Sequence, residues 1–561
     1  MKPIYFLSLL VFNSIFSQTA ATISIPEHRY QIDRERKLIV SHMDISKIST
    51  NTGASMTIEM DKVYTFIQTP LHLSHSESYT ITDSQDIFTL YFTKLPLISI
   101  QAPQEIVDEP KREAFFTYAD EEEIITSTIG IEIRGAGSLR FPKKNFDLEF
   151  WEDATTEESR DVKFGKLRND DDWILDGMSN EPLRLRSFVS HKIWLDMHEP
   201  YYKEEEEKAQ SGVDLMYSEV FLNNSYIGLY ALSEQIDRKL LRLKKDKDDQ
   251  IRGELYKAVR WANENSRYLA APEYRNDLDT WGDQEWKYPD EKNLIDWKNL
   301  WEATSFVVNA PQSEFEENIG SYFKYENIMD YYLFLNGIRA MDNHGNNIYL
   351  GKYTTDEPYF MIPWDLDATF GSRFTGEREN IFNDIRRNNL LDRWFIQTSS
   401  TIVKNQLSDR WQELRNSVFD SETIRDTFTS LFTDFTENKI YEREALVWNQ
   451  SDYSDQELDY ILTWYSNRMQ FLDEVFNFKT LSTIKNQSGI EGIQIIQMPN
   501  SNTFLINRDT DESTNLIVYS IVGKVLQRST ISTAKSQFII SQPRGVYIVK
   551  VGNLTTKLIK Q

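Results

Sequence analysis

Asp342, Asn347 and Asp365 are the residues whose types and spacing can do chemistry. Asp342 stands five residues before Asn347, and the intervening loop reads Asn343-His344-Gly345-Asn346. Strands are predicted over 348–353 and 359–362 with a turn between them. The second strand delivers Pro363-Trp364-Asp365-Leu366-Asp367. A carboxylate and an amide oxygen suit a hard divalent cation such as Mg²⁺. A second carboxylate, held where a helix meets a loop, can orient a hydroxyl. Transfer of a phosphoryl group asks for such a set: a metal clamp, a cation on the phosphates and a group to position the nucleophile. Plainer readings stay open. Asp and Asn are common in polar turns, and His344, with no second histidine nearby, reads as an ordinary loop residue.

The elements that must position this centre lie on both sides of it. Tyr325 to Arg339 carries Ile328, Tyr331, Tyr332, Leu335 and Ile338 on one helical face and feeds the loop. Upstream, a hairpin is expected with strands over 124–134 and 143–150, around Gly135-Ala136-Gly137-Ser138. Strand alternation puts Lys144 in register with Phe146, Leu148 and Phe150, and Lys143 on the other face. A lysine on an inward face asks for an anion, and a hairpin turn with snorkelling lysines fits the same residues equally. A short strand over 172–175 is followed by a helix over 181–197 with Arg184 and Arg186 near its start. Ser218 to Ser233 forms a hairpin around Asn223-Asn224 and runs into Glu234. Lys257 lies on a further strand over 253–258, and 260–293 looks irregular. Asp and Asn in D-x-x-x-x-N spacing, then a hairpin, then an acid is the order of a protein-kinase catalytic loop. The full H-R-D and D-F-G words are missing, which excludes an ordinary kinase.

The 561 residues exceed one ordinary core and imply two to four domains. With Lys plus Arg at 62 and Asp plus Glu at 87, the net charge is −25. Such a chain repels a phosphate backbone, so no nucleic-acid partner is expected. The absence of cysteine excludes disulfides, thiolate metal sites and Cys nucleophiles. Lys2 followed by the apolar run Ile4 to Phe16 and Ser17-Gln18-Thr19-Ala20-Ala21 reads as a secretory signal peptide over 1–20, too short to span a bilayer. No later run has the length of a transmembrane segment.

Three further regions complete the expected α+β architecture: a β-rich domain at 21–105, a central mixed domain at 106–478 and, after a linker at 479–489, a β-sandwich-like tail at 487–561. The tail resembles the C-terminal sorting domain of the type IX secretion system of Bacteroidetes, through Tyr519-Ser520-Ile521-Val522-Gly523-Lys524-Val525, Arg544-Gly545-Val546-Tyr547-Ile548-Val549-Lys550-Val551 and the closing Lys557-Leu558-Ile559-Lys560. That resemblance implies export, a secreted or surface-attached location and the type IX machinery as a partner.

Residues of about 110 to 475 resemble the spore coat protein H (CotH) family of atypical, kinase-like proteins. The matching words are Ile133-Arg134-Gly135, Phe141-Pro142-Lys143-Lys144-Asn145-Phe146, Asp172-Trp173, Leu185-Arg186, Glu219-Val220-Phe221-Leu222-Asn223, Gly228-Leu229-Tyr230, Ser233-Glu234, Leu255-Tyr256-Lys257, Asp342 to Asn347 and Pro363 to Gly371. The chain departs from the family at Ala136-Gly137 and at Ser187. The resemblance implies a kinase-like fold that uses ATP with Mg²⁺ or Mn²⁺ on a protein substrate. By position it makes Asp342 the catalytic residue and Asn347, Asp365 and Asp367 the metal ligands. Lys144, Glu234, Arg134, Arg186 and Lys257 fall at the nucleotide. Two other functions fit the same residues: a surface adhesion protein that keeps the fold for binding, and a metal-dependent hydrolase.

Overall fold

Runs in which apolar residues alternate with polar ones, such as Ser78–Thr82 and Met56–Glu59, bury one face and leave the other in water. In the computed structural model these runs assemble into a seven-stranded sheet at the N-terminal end, in the order 21–24, 56–59, 63–66, 78–82, 87–93, 38–42, 30–33. The structure describes residues 21–478 and 493–560, apart from 49–55, 156, 261–263, 291–293, 449–452, 498–501, 509, 521–523, 543–544 and 553. The expected signal peptide and linker fall on residues outside this set. The chain divides into two units, Met1–Phe476 and Asn477–Gln561.

A second sheet of eight strands begins at Leu97–Gln101 and continues through Arg112–Ala119, Ile124–Arg134, Asn145–Asp153, Asp172–Asp176, Leu215–Leu222 and Ser225–Ser233. Ile124–Arg134 pairs both with Arg112–Ala119 and with Asn145–Asp153, so seven of the strands close into a ring. Its interior is filled by Ile98, Phe116, Ile131, Leu148, Trp173 and Leu232. Asn223 and Asn224 both adopt positive φ, 49° and 62°, in the tight turn joining the last two ring strands. A third sheet orders Thr280–Trp281, Gln284–Tyr288, Glu254–Ala258, Ile348–Lys352 and Phe360–Pro363. It thus gives strand structure to part of 260–293, which the sequence left irregular. The helices Tyr325–Gly337, Thr401–Arg415, Ser421–Glu437 and Asp455–Val475 make up much of the remainder of this unit. No helix among the described residues is long and apolar enough to cross a membrane. In the second unit, a three-stranded and a four-stranded sheet share one core of Phe504, Leu516, Phe538 and Val549.

Two boundaries differ from expectation for local reasons. The helix expected over 181–197 begins at Arg186. Arg184 sits at φ 60°, which no helix accommodates, and the Glu181 carboxylate accepts the N–H groups of Arg186 and Ser187 at 2.6 and 2.7 Å. The strand expected from Lys143 begins at Asn145, its last partner being Arg134. Residues 141–144 are therefore outside the pleat. The alternation that assigned the two lysines does not hold there: Lys143 is buried at 2% exposure and Lys144 is only half-buried.

Candidate active site

The centre is built by ties between the loop after Tyr325–Gly337 and the residues after the hairpin. Arg339, at φ 51°, turns the chain out of the helix. The Met341 N–H then donates to the Ala368 carbonyl at 3.0 Å, and Phe370 N–H to Ile338 at 2.9 Å. Asn343 staples the two segments. Its buried side-chain amide donates to the carbonyls of Asn347 and Trp364 at 2.9 and 2.7 Å, while its own carbonyl accepts from the Tyr331 hydroxyl at 2.6 Å. Asn347 and Asp365 both occupy the left-handed region, φ 54° and 57°. Asn and Asp tolerate it better than most residues. The Asn347 amide nitrogen donates to Asp365 Oδ2 at 3.1 Å, which leaves its amide oxygen for another partner.

The carboxylates around this staple are short of cations. The Asp365 side chain is exposed to water. Desolvation by its surroundings, with Asp176 and Asp342, raises its carboxyl to about 6 against the opposing pull of Lys257 and Arg134. Asp367 is raised well above the carboxylate range by its surroundings and by Asp365, although the Asn180 amide donates to it. Burial likewise raises Asp342, with Arg386 opposing, and Asp342 Oδ1 is enclosed without a hydrogen-bond partner. Asp176, which closes its ring strand, is raised by burial and pulled back by the Met178 N–H and by Lys143, Arg184 and Arg134. An orphaned carboxylate oxygen, mutually repelling acids and a free amide oxygen form an all-oxygen donor set. That set fits Mg²⁺ or Mn²⁺.

Of the residues expected at the nucleotide, Lys257 and Arg134 come to this centre. Lys257 lies over the Tyr349 ring at 5.7 Å and makes no ion pair among the described residues. Burial, with Arg134 and Lys287 nearby, lowers it to about 8. Arg134 donates to Asp147 and Gln235, both at 2.7 Å, and its guanidinium lies over Trp364. The other three are engaged elsewhere. Lys144 donates to the Leu139 carbonyl. Glu234 accepts the N–H groups of Arg168 and Asp214 and the Gln210 amide, each at 2.8 Å, and does not pair with Lys144. Arg186 is buried against Glu457 at 2.7 Å. His344 is pushed down to about 3 by burial and by Arg386, and is therefore neutral.

Three contributors escape a reading of the sequence. Asp176 looked like a strand end, and Asn343 like one polar loop residue among several. The third is Glu444, whose oxygens accept from Lys143 Nζ at 2.5 Å, Arg184 Nε at 3.2 Å and the Leu229 N–H at 2.6 Å. Lys143 also donates to the Leu229 carbonyl at 2.5 Å and lies over the Tyr230 ring. Gly228, at φ 101°, makes room, since a Cβ there would stand 2.1 Å from Glu444 Oε2. The inward lysine thus has its anion, but it is Lys143, and the anion comes from a distant helix. A separate acid cluster, Asp161, Asp170 and Asp171, keeps its oxygens within 4.8 Å of one another. Lys239 and Arg168 already neutralise Asp170 and Asp171 there.

A mixed α/β protein whose acids converge around one hairpin, beneath two cations, is the class this geometry defines. The family model described as CotH kinase protein matches residues 131–472, more than half of the chain, and the chain belongs to the CotH family. No curated protein matches it.

Proposed function

We propose that this chain is a secreted CotH-like phosphotransferase that moves the γ-phosphoryl group of ATP to a protein hydroxyl, with Mg²⁺ or Mn²⁺. The observation that carries the reading is the excess of carboxylate at the Asp342–Asp365 centre within a CotH kinase match. In this reading the fold is kinase-like, with the ring of strands as one lobe and the helical region as the other. Asp365, Asp367 and the Asn347 amide oxygen would hold the metal, which supplies charge neutralisation on the phosphate oxygens. Lys257 and Arg134 face the phosphates. Lys144, half-buried near the ring, is the lysine that can swing to them, while Glu234 and Arg186 brace the scaffold. Asp342 accepts the proton of the attacking hydroxyl as the new O–P bond forms and the β–γ bridge breaks, with ADP as the leaving group. The tail acts as the type IX sorting signal that takes the protein out of the cell.

Purified chain with labelled ATP and metal tests the reading. Label transferred to protein, lost in both Asp342→Ala and Asp365→Ala, is the expected outcome. Asp342→Ala should keep nucleotide binding and Asp365→Ala should lose it. Free phosphate without protein labelling would instead indicate a hydrolase. No transfer and no nucleotide-induced thermal shift would leave an adhesion protein.

A further inference from the structure

A cleft of about 640 Å³ lies away from the acidic centre, between the N-terminal sheet and the outer face of the ring. Its size falls within the range of small-ligand sites, which favour junctions of this kind. One wall is fixed by alternation. Ile98, Ile100, Phe116 and Tyr118 point into the ring core. Their strand neighbours Ser99, Gln101, Phe115 and Thr117 therefore face out, into the cleft. This wall carries hydroxyls and an amide but no charge. Gln101 is held by the Asn224 side chain at 3.0 Å, and the Phe115 ring is 47% exposed beside it. Thr117 is 5% exposed, and its hydroxyl takes no hydrogen-bond partner among the described residues. The facing wall, from the strand Tyr30–Asp33 and the turn after it, is acidic. Glu27 and Glu35 are exposed on it, and Arg34 is committed to Asp61.

We propose that this cleft is a carbohydrate-binding site for a short, uncharged oligosaccharide. Amides and hydroxyls in a row can donate to and accept from successive sugar hydroxyls. An exposed ring beside them offers an apolar face to the sugar's C–H groups. The rim carboxylates repel phosphorylated, sulfated or uronic ligands. A lipid or other apolar ligand would leave the wall's polar groups unpaired.

The test is titration of the full chain with uncharged β-hexose, α-hexose and N-acetylhexosamine oligomers and with a sulfated counterpart of each. Gln101→Ala and Phe115→Ala are run in parallel. At least one uncharged oligomer should bind, and its sulfated counterpart should bind more weakly. Each variant should weaken binding by about tenfold with its thermal midpoint unchanged, since both side chains are at least partly exposed. Asp365→Ala should bind the oligomer like the parent, which separates this site from the phosphotransfer reading. No binding at millimolar oligomer, or binding that both variants leave intact, overturns the proposal. So does capture of extended peptides with the same loss in both variants, because the strand Tyr30–Asp33 is an edge strand and a peptide groove would use it.

Discussion

Two clusters of charge lie within the same unit and are solved in opposite ways. Around Glu444, a carboxylate meets Lys143, Arg184 and a backbone N–H, all with side chains at most 1% exposed. Around Asp365, at least four acids face Lys257 and Arg134, while Lys143 and Arg184 beside Asp176 are committed to Glu444 and Arg386 opposes Asp342. The first cluster needs nothing from outside. Its ions are taken from water and repaid by one another, so it is sensitive to the loss of any member. The second leaves carboxylates raised above their ordinary range and one Asp342 oxygen without a hydrogen-bond partner. Buried charge alone therefore says little about function. Whether the charges balance says much more.

Removing one member should separate the two kinds of cluster. Glu444→Ala leaves a buried lysine and arginine without their anion, and should cost about 3–5 kcal/mol of stability in urea unfolding. A loss of under about 1 kcal/mol would mean that the pair is not buried as described. Asp365→Ala should cost about 3 kcal/mol or more of transition-state stabilisation in phosphoryl transfer, while stability in metal-free buffer is unchanged or slightly higher. Metal with nucleotide, at about a hundred times the dissociation constant, should stabilise the parent by about 2.7 kcal/mol. In a thermal scan Asp365→Ala should show none of that gain. Gly228→Ala should destabilise by about 2 kcal/mol, because the new Cβ meets Glu444 and the φ is unfavourable.

The smallest effect concerns pH. Asp365 is raised to about 6, above its unfolded value, so the folded state holds its proton more tightly than the unfolded chain does. Its contribution to stability is present below about pH 4 and is lost as pH rises to about 6 and beyond. Because the side chain is open to water, the loss should be about 1 kcal/mol or less. Denaturant titrations of the parent and Asp365→Asn across this window should differ in slope, and saturating metal, which competes with the proton on Asp365, should reverse the sign of the parent's slope.

Much of the fold was legible where sequence and structure share a period. The strand Ile124–Arg134, the Asn223-Asn224 hairpin and the helix from Tyr325 follow from alternation, turn chemistry and helical spacing. The approach of Asn347 to Asp365 was legible too, because a hairpin brings its own ends together. What was not legible lies off the periods. Lys143 and Lys144 sit just before a strand begins, where alternation has no force. The start of the helix at Arg186 is set by the backbone of Arg184 and by the Glu181 carboxylate. Asp176 and Glu444 reach their places through long-range packing, to which neither local pattern nor spacing has access.

The short helix Ile440–Ala445 has a consequence for how the chain reaches this state. Its residues Glu442, Arg443 and Glu444 reach back to Tyr91, Glu219 and Lys143, across 351, 224 and 301 residues. Contacts of such separation carry the highest loop-closure cost and form late. A nascent chain can build its ring of strands long before this helix exists, but Lys143 and Arg184 then lack their counterion. A late-synthesised part of the unit thus acts as its latch, and a chain ending before residue 440 should stay open at the ring.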